Sequence, residues 1–172
     1  MKDIKFYRVG HEYGNFSNFA SFPIFIDGIS WPTVEHYFQA CKFEEISIKE
    51  KIKSLSSPMQ AAKEGRNRGN PLRIDWEIIK DEVMLSALLA KFKQHPKLRE
   101  ELLNTGNSNL VEHTSNDSYW GDGGDGSGKN MLGGLLMKVR DELMRIHEDS
   151  ETILPPWMAF PEIDQHDMFW RM

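Results

Sequence analysis

Residues 27–43 read DGISWPTVEHYFQACKF and carry the strongest structural signals in the chain. Asp27-Gly28 stands between two apolar runs and is a preferred two-residue hairpin turn, because both positions tolerate a positive φ. A helix is predicted to follow, with either Ser30 or Thr33 as its N-cap. The segment therefore predicts a β-hairpin that leads directly into a helix.

The predicted helix carries a polar stripe. Glu35, Gln39 and Lys42 have the i, i+4, i+7 spacing that places side chains on one face. A structural helix has little need for such a stripe, so we interpret it as the floor of an active site. Glu35 lies in the first turn, where the helix dipole favours the ionised carboxylate. An ionised carboxylate suits a general base, or a group that stabilises a positively charged sugar transition state.

Around this segment the sequence predicts several helices and a few short strands. Weak alternation predicts strands over 4–9 and near 110–113. Capping signals predict helices that begin at Ser47, Ser57, Asp75, Pro96 and Met131. In the last of these, the apolar periodicity predicts that Leu132, Leu135, Leu136, Val139 and Leu143 are buried, and Gly133-Gly134 predicts close packing. The expected fold class is mainly α (α+β), a compact helical domain with a few short N-terminal and central strands.

The composition is that of one globular domain with a tail. The chain has 172 residues, of which 40% are hydrophobic and 27% charged. Residues 1–146 are predicted to form the domain. Residues 147–172 are rich in Pro and aromatic side chains without clear periodicity, and we expect this tail to dock on the domain or to contact another chain or domain.

Charge and cysteine content limit the classes of function. A net charge of −5 disfavours nucleic acid and anionic membranes as general partners, whereas a small anionic substrate needs only a local basic pocket. No apolar run is long enough to predict a membrane span. The lone Cys41 excludes an intrachain disulfide and favours a reducing compartment, most simply the cytoplasm. Because Cys41 takes an apolar helical position, we expect it to be buried and structural.

A glycine-rich segment, NDSYWGDGGDGSGKN, spans residues 116–130. Gly123 to Lys129 match the G-x-x-x-x-G-K phosphate loop, but Asn130 replaces its Ser or Thr and two nearby aspartates would repel a triphosphate. We therefore exclude a nucleotide-hydrolase loop. Two interpretations remain open: a structural glycine-rich turn, or free helix N-terminal amides that hold a single phosphate together with Lys129.

Further candidates for chemistry are a second carboxylate and two tryptophans. Asp122 is predicted to be a second catalytic residue that assists Glu35, by positioning water or binding ribose hydroxyls. Trp76 and Trp120 are candidates to stack on a base, although Trp76 fits a core position equally well. The histidines show no metal-binding spacing, so no metal is expected, and hydrolysis would require no cofactor.

Four runs of sequence resemble the YbiA-like, or NADAR, family. They are YGNFSNFA (13–20), PIFIDGISWPTVEHYFQACKF (23–43), the run from SSPMQAAKEG to KQHP (56–96) and LVEHTSNDSYWGDGGDGSGKNMLGGLLMKVR (110–140). The resemblance implies an α-rich fold and N-glycosidase activity on early riboflavin-pathway intermediates that carry a ribosylamine 5-phosphate. Some relatives are linked instead to ADP-ribose, including its removal from modified guanine.

The resemblance also implies roles for individual residues. Glu35 takes the place of the catalytic carboxylate, and Trp76, Trp120 and Asp122 fall on the D-W-E and W-G-D motifs. Cys41 and Gly134 depart from the family pattern. The residues expected to contact substrate are Asn18, Gln39, Lys42, Arg66, Trp76, Tyr119, Trp120, Gly121, Lys129 and Asn130.

The leading hypothesis is thus an N-glycosidase that releases ribose 5-phosphate from a pyrimidine amine. Two rivals stay open. One is an ADP-ribosyl glycohydrolase, for which nucleic acid becomes a partner if the substrate is ADP-ribosylated guanine. The other is a non-catalytic module that binds NAD or ADP-ribose.

Overall fold

Helices dominate the structure, a computed structural model that describes residues 2–152. The strands are β1 (Asp3–Phe6), β2 (Ile24–Ile26), β3 (Ile29–Trp31) and β4 (Asn109–Glu112), with a 3-10 turn at Gly14–Phe16. The helices are α1 (Val34–Ala40), α2 (Ile46–Lys53), α3 (Pro58–Glu64), α4 (Trp76–Gln94), α5 (Pro96–Leu103) and α6 (Met131–Thr152). The predicted mainly α class with a few short N-terminal and central strands is confirmed.

The strands form two separate two-stranded sheets. β2 and β3 pair antiparallel across Asp27 and Gly28, whose φ values of 51° and 79° give the predicted hairpin turn. β1 and β4 pair in parallel, with Phe6 opposite Glu112. This second sheet joins the N-terminal strand to a strand about 100 residues later, and it positions the residues that follow β4.

Two of the predicted helix starts are confirmed by side-chain caps. Thr33, rather than Ser30, is the N-cap of α1, and its side chain accepts a hydrogen bond from the backbone N–H of His36. Ser57 caps α3 in the same way, with Pro58 at the first helical position. The first of these caps places Glu35 at the second helical position of α1.

The capping prediction at Ser47 is wrong. Ser47 lies inside α2, which starts one residue earlier, and its hydroxyl donates to the carboxylate of Glu45 instead of capping. Asp75 does precede α4, but its carboxylate accepts from the guanidinium of Arg73 and caps no backbone N–H. Charged neighbours therefore compete successfully with backbone amides at both positions.

The core lies where α1, α4, α6 and β4 meet. All five apolar residues predicted to be buried in α6 are buried, together with residues from the other helices such as Val34, Phe38, Leu88 and Phe92. A Cβ on Gly133 would overlap the carbonyl oxygen of Leu110, so the close-packing prediction holds there. It is wrong for Gly134, where a Cβ would meet nothing within 4 Å.

Two other predictions concern the burial of Cys41 and the end of the domain at residue 146. Cys41 is half-buried rather than fully buried, because it lies at the C-cap of α1. α6 continues to Thr152, beyond the predicted domain end at residue 146, and the remainder of the predicted tail lies outside the described residues. Over the part of the chain that is described, no helix is long and apolar enough to cross a membrane.

Candidate active site

A cavity of about 480 Å³ opens beside α1 and brings six of the predicted site residues together. Its walls come from α1, from the loop before β2, from the loop after α3 and from the region between β4 and α6. The predicted residues that line it are Asn18, Glu35, Gln39, Lys42, Arg66 and Trp120. The stripe on α1 is thus one wall of a cavity large enough for a small organic ligand.

Two side-chain amides hold the carboxylate of Glu35. Gln39 Nε2 donates to Glu35 Oε1 at 2.6 Å, and Asn18 Nδ2 donates to Oε2. The backbone N–H of Glu35 in turn donates to the carbonyl oxygen of Asn18 at 3.0 Å. Since both carboxylate oxygens accept hydrogen bonds, Glu35 is fixed in orientation.

The surroundings of Glu35 set its proton affinity. Glu35 is only 3% exposed, and this burial raises its pKa to about 7. The hydrogen bonds from Gln39 and Asn18 and the positive charges of Lys42 and Arg66 oppose the rise. A carboxylate whose pKa lies near neutral pH and which faces a cavity is suited to proton transfer.

The loop that carries Asn18 is anchored from α4 by a buried lysine. Lys91 is 0% exposed, and its Nζ donates to the carbonyl oxygens of Asn15 at 2.5 Å and Ser17 at 2.9 Å. Burial lowers the pKa of Lys91 to about 7. These contacts hold the residues just before Asn18. A buried side chain of α4 therefore determines where the Asn18 amide meets Glu35.

A second buried carboxylate, Glu112, lines the same cavity, and the sequence analysis missed it. Glu112 ends β4 and is 8% exposed. Burial raises its pKa to about 7, and the negative charges of Asp117, Glu35 and Asp122 raise it further. The available signal was a carboxylate at the end of an apolar run, Leu110-Val111, immediately before the glycine-rich segment.

The aromatic residues divide between the cavity and its support. Trp120 and Phe38 both line the cavity and pack edge to face with ring centroids 5.3 Å apart. Trp76 does not line it: this side chain is 4% exposed and packs behind Phe38 at 5.0 Å. The sequence allows Trp76 either to stack on a base or to be a core residue, and in the structure it is a core residue.

Tyr119 and Lys129 also lie outside the cavity. The hydroxyl of Tyr119 donates to the carboxylate of Asp81 at 2.8 Å. The ammonium groups of Lys80 and Lys129 lie 4.0 Å and 4.9 Å from the centroid of the Tyr119 ring. Together these four side chains connect α4 with the glycine-rich segment, away from Glu35.

Asp122 organises its own loop and does not face Glu35. Its carboxylate accepts from the backbone N–H groups of Thr114 at 3.1 Å and Gly124 at 2.9 Å, and lies 2.7 Å from Nδ1 of His113. It lines a separate cavity of about 340 Å³ on the β1–β4 side. Asp122 and Glu35 therefore do not line the same cavity, which corrects the expectation that Asp122 assists Glu35 in catalysis.

The amides at the start of α6 are occupied. The backbone N–H groups of Asn130 and Met131 donate to the carbonyl oxygens of Gly121 and Tyr119 at 3.0 Å. The side chain of Asn130 bridges to β4, since its Oδ1 accepts from the N–H of Glu112 and its Nδ2 donates to Leu110 O. Gly121, Lys129 and Asn130 thus build the loop and lie outside the Glu35 cavity, and the N–H groups of Asn130 and Met131 are engaged within the loop rather than open to a phosphate.

The cavity has further lining residues that the sequence analysis did not single out. Besides Phe38 and Glu112 they are Tyr7, Phe19, Met59, Met84, Thr114, Asn116, Asp117 and Leu132. Most are apolar or aromatic, as in small-molecule sites. Among residues 2–152, no group of three or more His, Cys, Asp or Glu side chains is arranged to hold a metal ion.

Comparisons with known proteins show which family and which fold the chain resembles. The family model described as the NADAR domain matches residues 5–144. The chain is 57% identical over 140 residues to N-glycosidase YbiA of Escherichia coli (strain K12), an alignment that covers 81% of this chain and 88% of that protein. It is 41% identical over 140 residues to a riboflavin biosynthesis protein of Vibrio vulnificus, covering 81% of this chain and 38% of the relative. The NMR structure of E. coli YbiA superposes with a TM-score of 0.81 at 54% identity, over 86% of this chain and 88% of that one.

Proposed function

The chain belongs to the NADAR family and is an N-glycosyl hydrolase, and we propose that its substrate is a pyrimidine intermediate of riboflavin biosynthesis. The bond to be cleaved joins C1 of ribose 5-phosphate to an amine on the pyrimidine. The name of the V. vulnificus relative supports the substrate class. The observation that carries the mechanism is the amide-held, buried Glu35 in a cavity of about 480 Å³.

Glu35 acts in this mechanism as an ionised carboxylate. Cleavage of a C–N bond to ribose places positive charge on C1 and the ring oxygen, and a nearby carboxylate lowers the energy of that state. Glu35 then accepts a proton from the attacking water, whose oxygen forms the new bond to C1. The electron pair of the broken bond leaves with the amine nitrogen, which takes up one proton, and the products are ribose 5-phosphate and the free aminopyrimidine.

Lys42 and Arg66 are proposed to bind the phosphate. Both line the cavity, and both lie close enough to Glu35 to affect its pKa. Lys42 Nζ also donates to the carbonyl oxygen of Gly65 at 3.3 Å, which holds the ammonium in place. Trp120 and Phe38 supply an aromatic wall for the pyrimidine, while Asn18 and Gln39 keep Glu35 in position.

The charge distribution favours a monophosphate over ADP-ribose. The two cations of the cavity, Lys42 and Arg66, both act on Glu35, whereas the negatively charged Asp117 also lines the cavity and would repel a second phosphate. Arg73, part of the basic cluster near Arg66, is paired with Asp75 at 2.6 Å and does not line the cavity. Because ADP-ribose and NAD each carry two phosphates, this repulsion also disfavours ADP-ribosylated guanine as a substrate and a module that binds NAD. We also propose a cytoplasmic location, which the lone Cys41 supports.

The test is to incubate the protein with the ribosylamino-pyrimidine 5-phosphate and to follow released ribose 5-phosphate by chromatography. We expect the wild type to release it and Glu35→Gln to be slower by about 10²–10⁴-fold. Glu44→Gln, an exposed neighbour, is the matched control and should keep the wild-type rate. Faster release from ADP-ribosylated guanine than from the pyrimidine substrate would refute the proposed substrate, and full activity of Glu35→Gln would refute the role of Glu35.

A further inference from the structure

Departure of the amine from ribose needs a proton as well as a stabilised cation. An aminopyrimidine leaves poorly as an anion, so a general acid near the breaking bond accelerates the step. Glu35 is poorly placed to be that acid, because both of its oxygens already accept hydrogen bonds from amide N–H groups. Hydrogen bonds of that kind stabilise the ionised form.

Glu112 has the opposite environment in the same cavity. Its side chain is 8% exposed, and within residues 2–152 its carboxylate accepts no hydrogen bond from a side chain or a backbone N–H. Its backbone is held firmly, since its N–H donates to Asn130 Oδ1 at 2.9 Å and its carbonyl oxygen accepts from Asp122 N at 2.9 Å. The carboxyl group is thus fixed at the cavity wall with its polar atoms free for a ligand.

The charges that face Glu112 favour its protonated form. Asp117 and Asp122 approach from the glycine-rich segment and Glu35 approaches from α1, and all three are negative. The cations of the cavity, Lys42 and Arg66, act on Glu35. Burial raises the pKa of both carboxyl groups to about 7, but their contacts differ: Glu35 is held as an acceptor by two amides, whereas the carboxyl of Glu112 is free to donate a proton to a ligand.

We propose that Glu112 is the general acid of the reaction and donates its proton to the leaving amine nitrogen. This role rests on the proposed function. As the bond from C1 to nitrogen breaks, its electron pair goes to nitrogen, which takes the proton of Glu112. Glu35 stabilises the cation and then removes a proton from the attacking water. Glu112 regains a proton from solvent or from Glu35 before the next turnover.

The first test compares two leaving groups. We expect Glu112→Gln to cleave the aminopyrimidine riboside 5-phosphate slower by about 10²–10⁴-fold. It should cleave 4-nitrophenyl riboside 5-phosphate at close to the wild-type rate, because nitrophenolate leaves without a proton. Glu35→Gln should lose activity on both substrates, and Glu112→Asp should recover part of the lost rate on the amine substrate.

The second test follows protonation without turnover. Infrared spectra of Glu35→Gln at about pH 6, which lack the other buried carboxyl group of the cavity, should contain a protonated carboxyl band that Glu35→Gln/Glu112→Gln lacks and Glu35→Gln/Glu44→Gln keeps. In turnover, the wild-type rate should fall at alkaline pH as Glu112 loses its proton, and Glu112→Gln should lose that alkaline limb. Circular dichroism shows whether each variant is folded.

The outcomes separate the two proposals. A wild type that leaves the aminopyrimidine riboside 5-phosphate intact refutes the proposed substrate. A wild type that cleaves it, with Glu112→Gln equally fast or impaired by the same factor on both substrates, overturns the acid assignment alone. An infrared band that persists in Glu35→Gln/Glu112→Gln also overturns it.

Discussion

Gly65 lies against the side-chain amide of Gln39 so closely that a Cβ on Gly65 would overlap Gln39 Oε1 and lie 2.6 Å from Gln39 Cδ. Gly65 is the C-cap of α3 and has a φ of −65°, so its backbone conformation would suit alanine. Gln39 Oε1 is buried and receives no hydrogen bond from any donor within residues 2–152. The absence of a side chain at Gly65 therefore serves the position of Gln39, and through it that of Glu35.

Gly65→Ala is expected to lower turnover while leaving the fold intact. The added methyl group displaces the Gln39 amide, and Glu35 loses one of its two fixed donors. Misplacement of a reacting group by about 1 Å reduces rates by about 10²-fold. Gly10→Ala, where a Cβ would meet nothing within 4 Å, is the matched control for turnover assays and thermal melts. Equal rates for the two variants would contradict this coupling.

Glu112→Gln is expected to stabilise the protein at alkaline pH only. The pKa of Glu112 is about 7 in the folded protein against an ordinary value of 4.5, so the folded state binds more protons than the unfolded state between those values. The free energy of unfolding contributed by Glu112 therefore falls as pH rises through this window. This pKa difference corresponds to about 3 kcal/mol of unfolding free energy. We expect Glu112→Gln to raise the free energy of unfolding by about 1–3 kcal/mol at about pH 8.

Urea denaturation at about pH 4 and at about pH 8 measures this effect. The gain should appear only at the higher pH, because below both pKa values Glu112 is neutral in both states. Glu82→Gln, an exposed position, serves as the control. An equal change at both pH values would show that packing, rather than the buried charge, accounts for the difference.

Lys91→Met is expected to reduce turnover by about 10-fold or more, although Lys91 lies outside the cavity. The lysine anchors the carbonyl oxygens of Asn15 and Ser17, and its removal frees the loop that presents Asn18 to Glu35. With a pKa of about 7 in the folded state against 10.5, Lys91 also makes the wild type more stable as pH rises from about 7 to about 10. The variant should lack that slope in denaturation experiments.

Lys93→Met, two residues along α4 and exposed, provides the comparison for Lys91→Met. It should keep both the wild-type turnover and the alkaline rise in stability. If Lys91→Met turned over substrate at the wild-type rate, the anchored loop would be irrelevant to the position of Glu35.

Substitution of the adjacent glycines of α6 should have opposite effects on stability. A Cβ on Gly133 would overlap Leu110 O and lie 2.6 Å from Asn130 Nδ2, so Gly133→Ala should cost about 1–3 kcal/mol. Gly134 has open space, so Gly134→Ala should stabilise the helix by about 1 kcal/mol. Urea denaturation of the two variants checks both signs, and destabilisation by Gly134→Ala would refute the second.

Several features of the site follow from short-range physics and were predicted from the sequence. The turn at Asp27-Gly28 follows from backbone preferences, and the cap at Thr33 follows from a hydrogen bond between near neighbours. The alignment of Glu35 with Gln39 follows from helical periodicity, and Lys42, two residues beyond the end of α1, lines the same cavity. In each case the residues that determine the conformation lie within one or two turns of one another.

The sequence by itself therefore determined the α1 wall of the cavity and the helical character of the chain. Only the tertiary structure decided what faces that wall. Pairing of β1 with β4 brings Glu112 to the cavity, and the hydrogen bonds of the glycine-rich loop direct Asp122 away from it. The physical reason is that these positions depend on contacts between residues about 100 positions apart and on a loop whose glycines have positive φ, and neither follows from local propensity.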